Sequence, residues 1–176
     1  MAYERVNWEN LPSTNTPVNA TNLNHMEQGI YDANDKNIIT IGLNADTTTT
    51  STSSFQTKDL NLTKEVGKVG TKLSLSSGKV LIGEGVSHVL VSGKIQTQGD
   101  NSNYGLIIKK NNIEISNNYE GNPGSRWSQL TLAPILISVT KGDIIKMAIY
   151  HNENNTTKTI KAHNGFGTYL TVEVIE

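Results

Sequence analysis

The chain has 176 residues, 15 Lys and Arg against 16 Asp and Glu, and no cysteine. This length suits one ordinary domain with an appendage, and the near-balance of charge excludes the electrostatic footprint of a protein that grips nucleic acid or an anionic membrane. Without cysteine there is no disulfide framework, thiolate nucleophile or cysteine zinc site, and the sequence is expected to carry neither a signal peptide nor an inserted membrane span.

Residues 1–21 are rich in Asn, Ser, Thr and Pro and carry isolated large apolar residues, notably Trp8 and Leu11. An extended strap of this kind cannot make a core of its own, so those side chains require a partner surface. Residues 22–36 predict a short helix, with Asn22 as N-cap and Leu23, Met26, Ile30 and Ala33 spaced three, four and three apart. The seam is narrow and Gly29 weakens the helix, so it must pack on its own domain, on another copy, or in a larger assembly. Ile38, Ile39, Ile41 and Leu43 are expected to extend that contact in a non-helical form, which makes residues 1–45 one attachment region. Residues 46–54, Thr and Ser after a single Asp, have nothing apolar to bury and predict a linker.

From Phe55 onward the hydrophobic period is two. Alternation runs through residues 72–76, 88–97, 104–109, 112–116, 129–132, 135–139, 143–150 and 168–175, with turn signals between them such as Ser77-Gly78, Lys110-Asn111 and Lys141-Gly142-Asp143. Residues 55–176 are therefore expected to form an antiparallel β-sandwich or barrel. The last strand puts Leu170, Val172 and Val174 on one face and Tyr169, Thr171, Glu173 and Ile175 on the other. Residues 144–150 are apolar on both faces. A second copy of the chain would cover such faces, and so would a thick core or an overlying loop.

Catalytic chemistry finds little support. Glycoside hydrolysis needs two carboxyls about 5–9.5 Å apart, and the scattered acids of residues 55–176 show no spacing that marks a pair; Asp143 reads as a turn residue. The four histidines lie far apart, so neither a metal nor a cofactor is expected. Binding remains. Carbohydrate sites combine exposed aromatic faces with Asn, Asp and Arg on loops of a rigid scaffold. Residues 117–127 supply Asn118, Tyr119, Arg126 and Trp127, and residues 100–104 supply Asp100 and Asn103. The alternative for Trp127 is a core position at the start of a strand.

Two resemblances follow. Val89-Leu90-Val91-Ser92-Gly93-Lys94-Ile95, Tyr104-Gly105-Leu106-Ile107-Ile108-Lys109, the Lys141-Gly142-Asp143 turn between apolar strands, and Gly167-Thr168-Tyr169-Leu170-Thr171-Val172 resemble, in that order, strands of the complement-globular-head and tumour-necrosis-factor-like jelly rolls. Trp8-Glu9-Asn10-Leu11-Pro12-Ser13-Thr14-Asn15-Thr16-Pro17, running into Asn22-Leu23-Asn24, resembles the opening of phage and prophage minor structural proteins. Together they imply a mainly β chain, a jelly-roll sandwich preceded by an extended strap and one short helix. They imply a non-enzymatic fibre or spike located in the virion: a homotrimeric knob that binds host-surface carbohydrate, held to other virion proteins through Trp8, Leu11, Leu23, Met26 and Ile30. The same design serves a capsid head fibre or decoration protein without a receptor role. A small polysaccharide depolymerase and a cellular signalling jelly roll stand further off.

Overall fold

The computed structural model describes residues 20–34, 36–99, 103–120, 127–153 and 155–175. The chain divides into two units, residues 1–36 and 37–176. In the first, helix α1 spans Ala20–Asn34, beginning two residues before the expected cap at Asn22. Leu23 and Ile30 of its seam are exposed and Met26 is half-buried. Trp8 and Leu11 lie outside the described residues.

The second unit is a sandwich of thirteen strands among the described residues: β1 Ile38–Gly42, β2 Thr47–Thr50, β3 Gln56–Asp59, β4 Lys64–Val69, β5 Leu73–Ser76, β6 Lys79–Ile82, β7 His88–Gly99, β8 Tyr104–Lys110, β9 Ile113–Glu120, β10 Ser128–Ser138, β11 Ile144–His151, β12 Thr157–Ile160 and β13 Tyr169–Ile175. The first sheet runs β4-β1-β13-β7-β10, with β12 and β2 continuing beside the far end of β7. The second runs β5-β6-β11-β8-β9, with β3 on β11 beyond β6. Every pairing is antiparallel. Alternate residues of the two sheets meet between them, where Ile39, Ile41, Val91, Ile108, Met147, Leu170 and Val172 are closed to solvent.

Two expectations change. Ile38–Gly42 is not part of an attachment region: β1 lies between β13 and β4, and Ile39 and Ile41 are core residues. The Thr/Ser tract is not a linker either. Thr47–Thr50 pairs with β12, the Thr50 and Thr157 hydroxyls meet at 3.0 Å, and the buried Ser51 hydroxyl donates to the Glu153 carbonyl at 2.6 Å. Threonine is β-branched and favours strands, and a strand at the rim of a sheet needs no apolar face. The body therefore begins at Asn37, whose side-chain oxygen accepts the Lys72 N–H at 2.9 Å.

Turn chemistry sets the register. Asn111 and Asn112 take φ of 48° and 73°, the two positive values of a type I′ hairpin, so β8 and β9 connect through two residues. The Asn111 side chain then accepts the Ile144 N–H at 2.8 Å and donates to Asp143 at 2.5 Å, joining two turns. Pro134, with no N–H to give, sits where the β10 register shifts on an edge strand.

Asp143 is the turn residue expected. Burial works against its charge, but the Thr140 N–H, the Asn111 amide and Lys110 outweigh it and hold the carboxyl at about 2. His151 is buried between the hydroxyls of Thr49 and Thr156, and burial, with Lys158 and Lys58 adding, pushes its pKa down. The signs follow from linkage. For His151 the unfolded chain takes the proton first, so stability falls as pH drops below about 6.5. The stability held by ionised Asp143, about 2 kcal/mol from the size of the shift, is present above about 4 and lost towards pH 2. An acid titration followed by thermal melting is expected to decline in these two stages, and Asp143→Asn to flatten the second.

Candidate functional site

Each sheet turns one face outward, and the two faces differ. On the first sheet the cross-strand register aligns Val69, Ile38, Glu173, Leu90 and Leu136 in one row across all five strands. Ile175, His88 and Ser138 form the next row. On the other side come Thr40 and Thr171, whose hydroxyls meet at 2.9 Å, and then Tyr169 beside Lys94. Leu136 is 59% exposed, and Val69 and Ile175 are exposed too. A row of four aliphatic side chains around one carboxylate is poorly served by water. Closely packed cover from another surface would remove that apolar area from solvent.

The outward face of the second sheet is aromatic. Thr57, Tyr150, Gly105 and Tyr119 align across β3, β11, β8 and β9. Gly105 is the device that builds this row: a Cβ there would lie 2.3 Å from the Tyr119 ring, so only glycine lets that ring lie across β8. Tyr119 reaches Tyr150 edge-on, centroids 5.2 Å apart, and Phe55 joins Tyr150 at 6.3 Å. Phe55 is 71% exposed and is held at φ 60°, a strained conformation for a bulky residue. Its loop is fastened by the Gln56 side chain, which accepts the Thr52 N–H at 2.8 Å.

The next row of this face holds Asp59, Ala148, Ile107 and Asn117. Lys109 and Lys146 are direct cross-strand neighbours, a repulsive pairing, and both bond to Asp59. Ile107 and Ala148 point outward yet are fully buried. Both are closed to solvent within the single chain, so β11 carries apolar residues on both faces with no second copy needed there.

The expected binding residues separate. Tyr119, 51% exposed, belongs to the aromatic row. Asn118 points the other way and donates to the Thr131 carbonyl at 2.9 Å, bridging the sheets at their open edge. Asn103 lies just ahead of β8, at the same end as Tyr119, and its carbonyl accepts the Asn152 N–H at 3.4 Å. Trp127, 49% exposed just ahead of β10, is no core residue; its ring lies 5.1 Å from that of His163, with the Lys161 ammonium 5.0 Å away. No single site brings Tyr119 and Trp127 together by contact. Asp100 and Arg126 lie outside the described residues. Phe55 and Tyr150 escaped sequence reasoning; the available signal was their period-two placement outward from β11 and just ahead of β3.

Other groups are occupied. A cavity of about 350 Å³ lies between residues 43–49 and 59–63, but its acids Asp46 and Asp59 are already paired with lysines. Among the described residues no three His, Asp or Glu side chains gather as a metal site.

Murine APRIL at pH 5.0 superposes with a TM-score of 0.60 at 12% identity, over 80% of this chain and 99% of that one. Murine APRIL at pH 8.0 gives 0.59 at 14% identity over the same shares. Eiger TNF from S. frugiperda gives 0.55 at 6% identity, over 80% and 92%. The body is a tumour-necrosis-factor-like jelly roll. No protein-family model and no curated protein sequence matches the chain. At these identities the jelly roll is shared through its arrangement of strands alone, and what its faces do must be argued from the residues on them.

Proposed function

We propose that this chain is a non-enzymatic bacteriophage virion protein of fibre or spike type. Residues 1–36 attach it to the particle, and the jelly-roll body assembles as a homotrimer presented to the host surface. The observation that carries this reading is the outward row of the first sheet, Val69, Ile38, Leu90 and Leu136 about Glu173, which needs cover that the body does not supply. Another copy of the same body, about a threefold axis, supplies it, and the resemblance of the body to trimeric jelly rolls supports that number. The exposed Leu23 and Ile30 of α1, next to the phage-like strap, support attachment through the first unit.

The experiment is an incorporation assay. Particles grown with the full chain are expected to carry it at normal occupancy, and particles supplied with residues 37–176 to lack it. Normal occupancy of the shortened chain would overturn the attachment assignment.

A further inference from the structure

We infer that the Phe55–Tyr150–Tyr119 face is a carbohydrate platform for a neutral pyranose, resting on the proposed role of the body at the host surface and naming the ligand class and the residues. One face of a pyranose ring is a patch of C–H groups, which the negative face of an aromatic ring attracts, while its edge carries hydroxyls that seek amides. Both parts are present. Three rings stand on the outward face, spaced 5.2 and 6.3 Å between centroids, and Asn103, Asn152 and Thr57 lie at the same end of the strands.

Two features point to a built surface rather than to leftover apolar area. Gly105 is the residue that gives the Tyr119 ring its place, and Phe55 is held out at positive φ by a loop with its own hydrogen bonds. Strain kept at an exposed aromatic residue is expected where the exposure is used. Charge selects the ligand. The aromatic row has no charged side chain, and beyond it Lys109 and Lys146 meet two carboxylates, Asp59, which both lysines bond, and Glu114, which faces Lys109 across the strands, so no net charge there awaits an anion. The platform lies on the second sheet and the proposed subunit contact on the first. A trimer would then present three platforms, and their avidity offsets the weakness of each.

The test applies the full-length protein to a printed array of neutral oligosaccharides built from glucose, galactose and N-acetylglucosamine, beside sialylated and sulfated ones. Lactose, maltose and chitobiose serve as monovalent probes in solution by saturation-transfer NMR. Binding is expected on neutral glycans, with saturation transfer from tyrosine and phenylalanine protons. Phe55→Ala and Tyr119→Ala are each expected to weaken it about tenfold, while Trp127→Ala leaves it unchanged. Phe55 is so exposed that its truncation leaves the fold intact. Binding confined to anionic glycans, no binding to any neutral glycan, or full binding by both variants would each overturn the platform. Trimer mass and particle incorporation of the same variants keep the two ideas apart. Loss of glycan binding with both retained isolates the platform, whereas a parent chain that is monomeric and absent from particles fails the virion reading alone.

Discussion

A chain that begins at Asp46 is expected not to fold, while one that begins at Asn37 melts like the whole body. Removing residues 37–45 takes out β1, the strand between β13 and β4, and with it Ile39, Ile41 and Leu43, all buried. Each fully buried aliphatic side chain is worth about 1.5–3 kcal/mol, so the three together approach the roughly 5–15 kcal/mol that hold a domain folded. The cut also leaves two strand edges unpaired and orphans the Val174 N–H, which donates to the Asn37 carbonyl at 2.8 Å. Starting at Asn37 keeps that bond and every ladder of the first sheet. Circular dichroism melts of the two truncations decide the matter: a cooperative transition in residues 46–176 would show that β1 is dispensable. Particle incorporation must therefore be tested with the cut at 36, because a cut at 45 would confuse loss of attachment with loss of fold.

Leu136→Asp is expected to turn a trimer into monomers without unfolding them. Leu136 stands on edge strand β10 and is largely exposed in the single chain, so a carboxylate there costs the isolated body little. In an assembled trimer the same carboxylate would be buried beside Leu90 and near Glu173, unpaired and of like charge. An uncompensated buried charge costs about 3–5 kcal/mol, enough to raise the dissociation constant about a thousandfold. Light scattering of the parent chain should give three times 19.2 kDa, and of the variant close to one chain mass at micromolar concentration. The melting transition of the variant, measured alongside, should remain cooperative. A monomeric parent, or a variant that stays trimeric, would remove the first sheet as the subunit contact.

Much of the body could be read from alternation. All eight stretches of period two are strands, and two of them, residues 129–132 and 135–139, fuse into β10 because Pro134 sits in a register shift rather than ending the strand. Of the other strands outside those stretches, β4 and β6 are short runs with two and three apolar residues, and β2, β3 and β12 are mostly polar, so the pattern that betrays a half-buried strand is absent from them. In β12 a lysine takes an inward place beside Ile160, with Lys158 buried and its ammonium 5.3 Å from the Tyr104 ring centroid. β1 was hidden for the opposite reason. Its isoleucines follow a helical seam closely, and an apolar run that short fits a docking segment as well as a central strand. Among the binding residues, Tyr119 and Trp127 were legible as exposed aromatics, but the partner of one is Tyr150, which Phe55 joins in turn, and the partners of the other are His163 and Lys161. Those pairings join residues more than thirty positions apart, and only strand order brings them together.

By itself, the sequence determined the class of fold, the turn at Ser77-Gly78, a turn at Lys110-Asn111 that the structure moves by one residue to Asn111-Asn112, and the division between a strap with a helix and a β body, because periodicity and backbone preference are local properties. The tertiary structure decided where the body begins, which apolar faces remain open and which rings share a surface. Those depend on cross-strand register: a shift of one residue would send Tyr150 into the core and Ile149 out to solvent, and no local signal encodes which strand stands beside which.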